Sequence, residues 1–486
     1  MKLRTLSLGL TFTLLVAACA DDASDTATTG PDPTPDTAPD TPTTSIFVGG
    51  DRGWLEGDDL EWFGSAGGVE FEGLDMAAEG GSTDASTDDD STARSTTTVV
   101  PGEFSDIGPI EPPIDNSPLR AGSIDDAEDV AAYLDYRTLV TDSGVVVRPL
   151  DVSDSTVFTV TGANGLPVLD AAVEFWDPQA DRSAGSPVVT LRTTANGSVR
   201  FSPGAMAEIW TALDVVVRTG DTELDVDFEW AAPSVEVTVD APGGIDGSVP
   251  LDIHFVLDAT GSMGDEIARL RDNMTSIANQ IAALPSEPDV RFGMTVYRDV
   301  GDTFVTRTFD LTDDLDSFLV ALSEVQADGG GDYAEALDEA LADALEKPEW
   351  RRDGAVELMF VIADAPPQVQ RDVQQPYTAT AIAAAEAGVK IFPVAASGTD
   401  DQAEYAMREI AFVTGGRFVF LSYGAGGATA TGPSTDITAD DYDELPLDAL
   451  IVRLVQDELA ALTGDDVDQT TPTTTVPVTT TTEFEQ

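Results

Sequence analysis

Asp258-Ala259-Thr260-Gly261-Ser262 puts a carboxylate and two hydroxyls at alternate positions of one short stretch. These are hard oxygen donors, suited to Mg2+, Mn2+ or Ca2+ and not to copper or zinc. An apolar run over residues 251–257 leads into them, and a helical pattern follows from Met263. The donors therefore fall where a strand hands over to a helix, and in a doubly wound sheet such strand ends form the ligand crevice. Asp and Ser also accept hydrogen bonds from the first amides of a helix. Asp258 is thus read either as an ion ligand or as a cap for a helix beginning near Ser262. His254, the only histidine, lies inside the strand and reads as a core residue. A Ser–His hydrolase would need it beside Ser262, and Thr260-Gly261-Ser262-Met263-Gly264 lacks the first glycine of a nucleophile elbow. A metal-assisted hydrolase would need a general base, for which Asp299 and Glu335 are available. Magnesium-type ions acidify water less than zinc does, and no histidine or lysine converges here, so the chain is read as no enzyme. Asp299 and Asp302 read as solvated charge, with the alternative that they rim the crevice and hold a second cation; Glu335, Asp338, Glu339 and Asp343 read as the solvated face of a helix expected over 332–346.

The elements that must position these donors are an alternation of apolar runs and amphipathic helices, the mark of a mostly parallel sheet with helices on both faces. Strands are expected at 251–257, 291–297, 355–363, 389–395 and 417–421, with an edge strand near 303–309. Ile267, Leu270, Met274, Ile277, Ile281 and Leu284 make one stripe of a helix over 263–284. Further helices are expected at 332–346, 377–387 and 447–462, and residues 424–444 read as a glycine-rich acidic loop. Ahead of this α/β domain, residues 145–241 show short strands with turn signals between them, including Val157-Phe158-Thr159-Val160 and Val235-Glu236-Val237-Thr238-Val239. That spacing predicts a small β-sandwich. It resembles carboxypeptidase-regulatory or transthyretin-like sandwiches, and it carries no cluster of chemistry.

The α/β part resembles the von Willebrand factor type A (VWA) domain over residues 248–465. Asp258-x-Thr260-x-Ser262 is similar to that family's metal-ion-dependent adhesion site, with threonine in place of the first serine. Gly329-Gly330-Gly331-Asp332-Tyr333-Ala334-Glu335 sits where the family has its second metal loop, and Val361-Ile362-Ala363-Asp364-Ala365-Pro366 where it has its third. Val296-Tyr297-Arg298-Asp299 resembles a strand end of the hemicentin-like branch. The resemblance implies that Asp258, Thr260, Ser262, Asp332 and Asp364 hold Mg2+, or Mn2+ or Ca2+, some directly and some through water. It also implies a protein partner whose acidic side chain takes the open coordination position. By analogy with integrin I domains, changes in coordination would shift the helix at 447–462. Where many relatives place a threonine in the second loop, this chain has Asp332, which would tighten the cation and weaken its pull on an anionic ligand. Asp332 has the alternative reading of a helix cap, like Asp258.

The sole cysteine, Cys19, precludes an intramolecular disulfide. It follows Lys2, Arg4 and an apolar run too short to span a bilayer, ending in Leu15-Val16-Ala17-Ala18. This resembles the lipobox of bacterial lipoproteins, which implies a signal peptide over 1–18 and lipidation at Cys19. The net charge of −65 repels nucleic acid and anionic membrane surfaces. Residues 19–45 read as a disordered tether, 46–144 as mostly low-complexity chain with short aromatic and helical segments, and 466–486 as a disordered threonine-rich tail. The whole is expected to be a lipid-tethered, extracytoplasmic protein of the bacterial envelope that binds a protein through a cation. A structural envelope protein with an idle site, and less so a metal-dependent hydrolase, are the alternatives.

Overall fold

The computed structural model describes residues 120–422, except Ala231 and Asp332, and residues 445–464. The leader, Cys19, the aromatic segment at 46–76, the acidic loop and the tail lie outside the described residues.

The chain first forms β1 (Arg120–Ile124) and α1 (Val130–Asp142), with Asp129 capping α1 by accepting from the Ala132 amide. It then builds β2 (Thr156–Gly162), β3 (Ala172–Trp176), β4 (Val189–Arg192), β5 (Ser198–Phe201), a turn of helix α2 (Pro203–Met206), β6 (Asp214–Thr219), β7 (Thr222–Val226) and β8 (Ser234–Val239). The order β5-β2-β8 makes one sheet and β4-β3-β6-β7 the other. Alternate residues of β2 are buried, as a strand with one face on a core requires. Phe158, Phe175 and Phe201 fill the space between the sheets, with Phe175 stacked on Phe201 at 3.8 Å between centroids.

The α/β part continues with β9 (Pro250–Asp258), α3 (Gly264–Ala282), β10 (Asp289–Tyr297), β11 (Thr306–Thr312), α4 (Leu315–Ser323), α5 (Leu337–Glu346) and β12 (Val356–Ala363). It ends with α6 (Tyr377–Ala387), β13 (Val389–Ala395), α7 (Asp401–Thr414), β14 (Phe418–Ser422), β15 (Leu445–Pro446) and α8 (Leu447–Thr463). The sheet order is β11-β10-β9-β12-β13-β14-β1-β15, with β10, β9, β12, β13 and β14 parallel. β12 is buried along its whole length and β9 from Leu251 onward, which suits strands covered by helices on both faces. The predicted stripe of α3 is buried and packs with α4 and α8 on one face. α5, α6 and α7 cover the other. From β9 the chain crosses outward to β10, and β12 pairs on the opposite flank of β9. The strand order thus reverses at β9, so the crevice opens at the carboxyl ends of β9 and β12.

One element departs from the sequence reading. Residues 120–142 fall in the stretch read as mostly low-complexity with short helical segments, where helical spacing over 125–136 leads toward the next domain. α1 agrees with that spacing, but β1 is not expected from it, and it is wedged antiparallel between β14 and β15 of the α/β part. Its sequence, Arg-Ala-Gly-Ser-Ile, carries no apolar alternation, so only pairing with β14 defines it. The β-sandwich is therefore an insertion between α1 and β9. It rests on the helices of the α/β part, with Ala385 of α6 in the sandwich core and the Arg200 guanidinium 4.0 Å over the Phe412 ring of α7.

α1 is fixed to α7 by a buried polar network. Arg137 Nη2 donates to Glu409 Oε1 at 2.7 Å, to the Tyr405 hydroxyl at 2.8 Å and to the Leu150 carbonyl at 2.6 Å. Burial pushes the Glu409 carboxyl up to about 7, against the pull of Arg137. Removing one partner of such a pair costs about 3–5 kcal/mol. Arg137→Ala is therefore expected to lower stability by about that amount in urea unfolding; a loss below about 1 kcal/mol, the range of surface pairs, would mean the network does not hold α1 in place.

Candidate metal centre

Asp258 closes β9 and is fully buried. Its Oδ1 accepts from the Thr260 amide at 2.9 Å and the Thr260 hydroxyl at 2.7 Å. Its Oδ2 accepts from the hydroxyl of Tyr297, which stands opposite it in the β9–β10 register, at 3.2 Å. Thr260 Oγ1 is 3.4 Å from Ser262 Oγ. Thr260 is buried and Ser262 is exposed, so the turn runs from the core out to the crevice mouth. This is an Asx-type turn, in which the carboxylate organises the backbone two residues on. It is not a helix cap: α3 has Met263 at its N-cap, and no side chain caps it there.

Asp364 follows β12 and is 5% exposed. The Ser262 hydroxyl hydrogen-bonds its side chain, yet Asp364 Oδ1 is buried with no hydrogen-bond partner among the described residues. Since Leu257 and Ile362 are in register, Asp258 and Asp364 leave adjacent strand ends toward the same crevice. Burial, and after it the charge of Asp364, pushes the Asp258 carboxyl up to about 7. Burial also raises that of Asp364, against the Ser262 hydrogen bond. No arginine or lysine enters either balance. Two buried carboxylates so placed repel one another, and a cation removes the conflict.

The second loop is tied to both others. The Asp328 amide donates to the Ala259 carbonyl at 3.0 Å, and the Gly261 amide to the Gly329 carbonyl at 3.1 Å. The Tyr333 hydroxyl reaches the carbonyls of Asp364 at 3.1 Å and Gly398 at 2.9 Å. The Glu335 amide donates to the Pro366 carbonyl at 3.0 Å, and Glu335 forms an isolated parallel bridge with Pro367. These bonds delay α5. It begins at Leu337, not at 332 as the helical pattern predicts, with Ala336 at the N-cap and no side-chain cap. Asp332 itself lies outside the described residues. Gly329 and Gly330 have φ of +85° and +77°, a region that glycine alone enters freely.

Several acids read as solvated are structural. Asp302 Oδ2 accepts from the Gly330 amide at 2.9 Å and the Asp299 amide at 3.2 Å, clamping the second loop. Asp299 is 8% exposed and accepts from Gln368 Nε2. Asp338 is fully buried, accepting from Arg148 at 2.8 Å and the Tyr377 amide at 2.6 Å. Glu335 is 4% exposed and sits off the helix. Helical periodicity marks Glu335 and Asp338 as outward because it sees neither the backbone bonds that hold Glu335 to the third loop nor the Arg148 guanidinium that buries Asp338. Tyr297 was missed as a site residue too; its only signal is a polar tip at the end of the strand beside the one carrying Asp258.

Among the described residues, no three His, Cys, Asp or Glu side chains are grouped as a cation site by themselves. The described donors are instead two carboxylates with the hydroxyls of Thr260 and Ser262. That set fits a hard dication, and the bare Oδ1 of Asp364 is the acceptor such an ion would satisfy.

The sequence matches the von Willebrand factor type A domain over residues 252–424. This chain contains a VWA domain. Human von Willebrand factor A domain-containing protein 7 is 36% identical over 116 residues, which cover 24% of this chain and 12% of that protein. Alpha-protein kinase vwkA of Dictyostelium discoideum is 29% identical over 118 residues, or 24% of this chain and 18% of that protein. The match thus spans less than a fifth of either relative. Among solved structures, proximal thread matrix protein 1 of the mussel byssus, with a zinc-occupied MIDAS motif, aligns at TM-score 0.32 and 14% identity, covering 46% of this chain and 54% of that one. The pilus adhesin SpaC of Lactobacillus rhamnosus GG aligns at TM-score 0.32 and 11% identity, covering 51% and 32%. Likeness at that level carries no argument about function.

His254 lies in the VWA core, fully buried, with Nε2 2.9 Å from Thr295 Oγ1 and the ring packed on Trp350. Burial lowers its pKa from 6.5 to about 3. The unfolded chain then binds a proton below pH 6.5 that the folded chain refuses until about pH 3, so this residue removes stability as pH falls across that window. Relative to His254→Leu, the parent is expected to lose up to about 1.4 kcal/mol per pH unit below the histidine's unfolded pKa in urea titrations. A pH-independent difference would show that the ring titrates in the fold as it does in the unfolded chain, and would contradict its burial in the neutral form.

Proposed function

We propose that this protein binds another protein in a divalent-cation-dependent way, through the crevice at the carboxyl ends of β9 and β12. Asp258, Thr260, Ser262 and Asp364, with Asp332 of the second loop, would hold Mg2+ or a similar hard ion. The observation that carries this is the pairing of Asp258 with Asp364: among the described residues, two buried carboxylates with no basic side chain in their electrostatic balance, one presenting an oxygen without a hydrogen-bond partner. When bound, the ion supplies an electrophilic position for an oxygen of the partner. The chain's own residues do the rest. Asp258 orders the turn, Tyr297 fixes the Asp258 carboxylate, and exposed Ser262 marks the side from which a partner approaches. The partner is a protein offering an oxygen ligand, an acidic side chain in the simplest case. The lipobox-like stretch ending at Cys19 supports tethering at a bacterial envelope, with the lipid as the only link to the membrane. Among the described residues, no helix is long and apolar enough to cross one.

An ion that binds only the folded state raises the melting midpoint by mass action, by about 2.7 kcal/mol of stability at roughly one hundred times its Kd. The metal-stripped protein is expected to melt higher on adding millimolar Mg2+ or Mn2+, and Asp258→Asn is expected to lose that response. An equal response in both forms, or none in either, would refute the cation site.

A further inference from the structure

Residues 145–150, Val-Val-Val-Arg-Pro-Leu, join α1 to the β-sandwich and lie ahead of the stretch that matches the VWA domain. Pro149 disfavours a helical backbone at Arg148, and the segment forms no helix or strand. It is nonetheless held to the helices of the α/β part. The Val146 carbonyl accepts from Gln402 of α7, and the Arg148 carbonyl from the Tyr377 hydroxyl of α6 at 3.2 Å. The Leu150 amide donates to Glu409 Oε1 of α7 at 2.8 Å. Val145, Val147 and Leu150 pack against the core under those helices.

From this strap the Arg148 side chain reaches both loops that follow the crevice strands. Its Nη1 donates to the two carboxylate oxygens of Asp338, at 2.8 and 2.9 Å. Asp338 is fully buried in the first turn of α5, directly after the second loop, and its Oδ1 also accepts the Tyr377 amide at 2.6 Å. Arg148 Nη2 donates to the carbonyls of Gln368 at 3.1 Å and Arg371 at 2.9 Å, in the chain that continues from Asp364. Gln368 extends the contact: its Nε2 donates to Asp299 Oδ1, just beyond β10, at 2.5 Å and to the Ala334 carbonyl of the second loop at 3.1 Å. One planar guanidinium thus joins the start of α5 to the continuation of the third loop. A lysine, with one ammonium on a flexible stem, has no such fork.

We propose that Arg148 is a positioning residue for the cation crevice, a side chain from outside the VWA domain that sets the second and third loops without touching the ion. The proposal rests on the cation reading above. Cation affinity then depends on chain that the matched domain does not itself supply, and displacing the strap weakens the site. The sign of the effect separates positioning from simple charge. An arginine acting only through its charge repels a cation, so removing it would tighten binding; removing a positioning arginine loosens it.

The test titrates Mn2+ into the metal-stripped full chain as parent, Arg148→Gln, Arg148→Lys and Arg137→Gln, with urea unfolding of each. Arg137 is the control, since it ties the same strap to α7 at Leu150 and Glu409 and bonds neither crevice loop. Arg148→Gln is expected to weaken Mn2+ by about tenfold, the size of loss found when groups that orient metal ligands are removed. Arg137→Gln, though less stable, is expected to bind as the parent does. Arg148→Lys, which keeps the charge without the fork, is expected to recover stability more than affinity, and it carries the comparison if Arg148→Gln does not fold. In the metal-free protein, exchange of the Glu335 amide, which bonds the Pro366 carbonyl across the two loops, is expected to quicken in Arg148→Gln and not in Arg137→Gln. Mn2+ held as tightly by Arg148→Gln as by the parent, or more tightly, would overturn the proposal and leave the cation site standing. Equal weakening in Arg137→Gln would overturn it in favour of general loosening. No binding by the parent would overturn the cation reading and this proposal with it.

Discussion

Two carboxylates held out of water beside one another govern this structure. Asp258 ends β9 and Asp364 follows β12, neighbouring strands of a parallel sheet whose order reverses between them. Leaving such a pair ionised in a low-dielectric crevice is costly, and proteins meet that cost by protonation, by a basic neighbour or by a cation. Among the described residues, no basic side chain enters the electrostatic balance of either one. What surrounds the pair is a set of polar groups that fix its geometry: the Thr260 amide and hydroxyl, the Tyr297 hydroxyl and the Ser262 hydroxyl. A fixed, desolvated and anionic geometry is one that selects a small hard ion.

The rest of the molecule keeps that geometry rigid. Asp302 clamps Gly330, Tyr333 ties the second loop to the carbonyls of Asp364 and Gly398, and the Glu335 amide ties it to Pro366. Farther off, β1 and α1 complete the sheet and the helix layer, the latter through Arg137 and Glu409. The β-sandwich leaves from α1 and returns to β9, so both of its connections are rooted in the α/β part.

Much of this is legible in the amino-acid sequence, and the reasons for what is not are local. The parallel strands and α3 show because burial on both faces of a strand, or on one stripe of a helix, prints a strong apolar pattern. Asp258, Thr260 and Ser262 show because their spacing is tied to a strand end. β1 does not show, because five residues with one large apolar side chain print no pattern, and only pairing with β14 gives them a fold. Glu335 and Asp338 are misread as solvated because their spacing mimics the outer face of a helix. One lies before the helix starts, and the other is buried against Arg148. Backbone bonds between loops far apart in sequence decide such positions, and no local periodicity encodes them.

The most direct test of the central claim is crystallography of the protein in Mn2+, with anomalous scattering to locate the ion. The account predicts one strong anomalous peak in the crevice, bounded by Asp258, Thr260, Ser262 and Asp364. Crystals that show no peak there, or ions only at scattered surface acids, would contradict it.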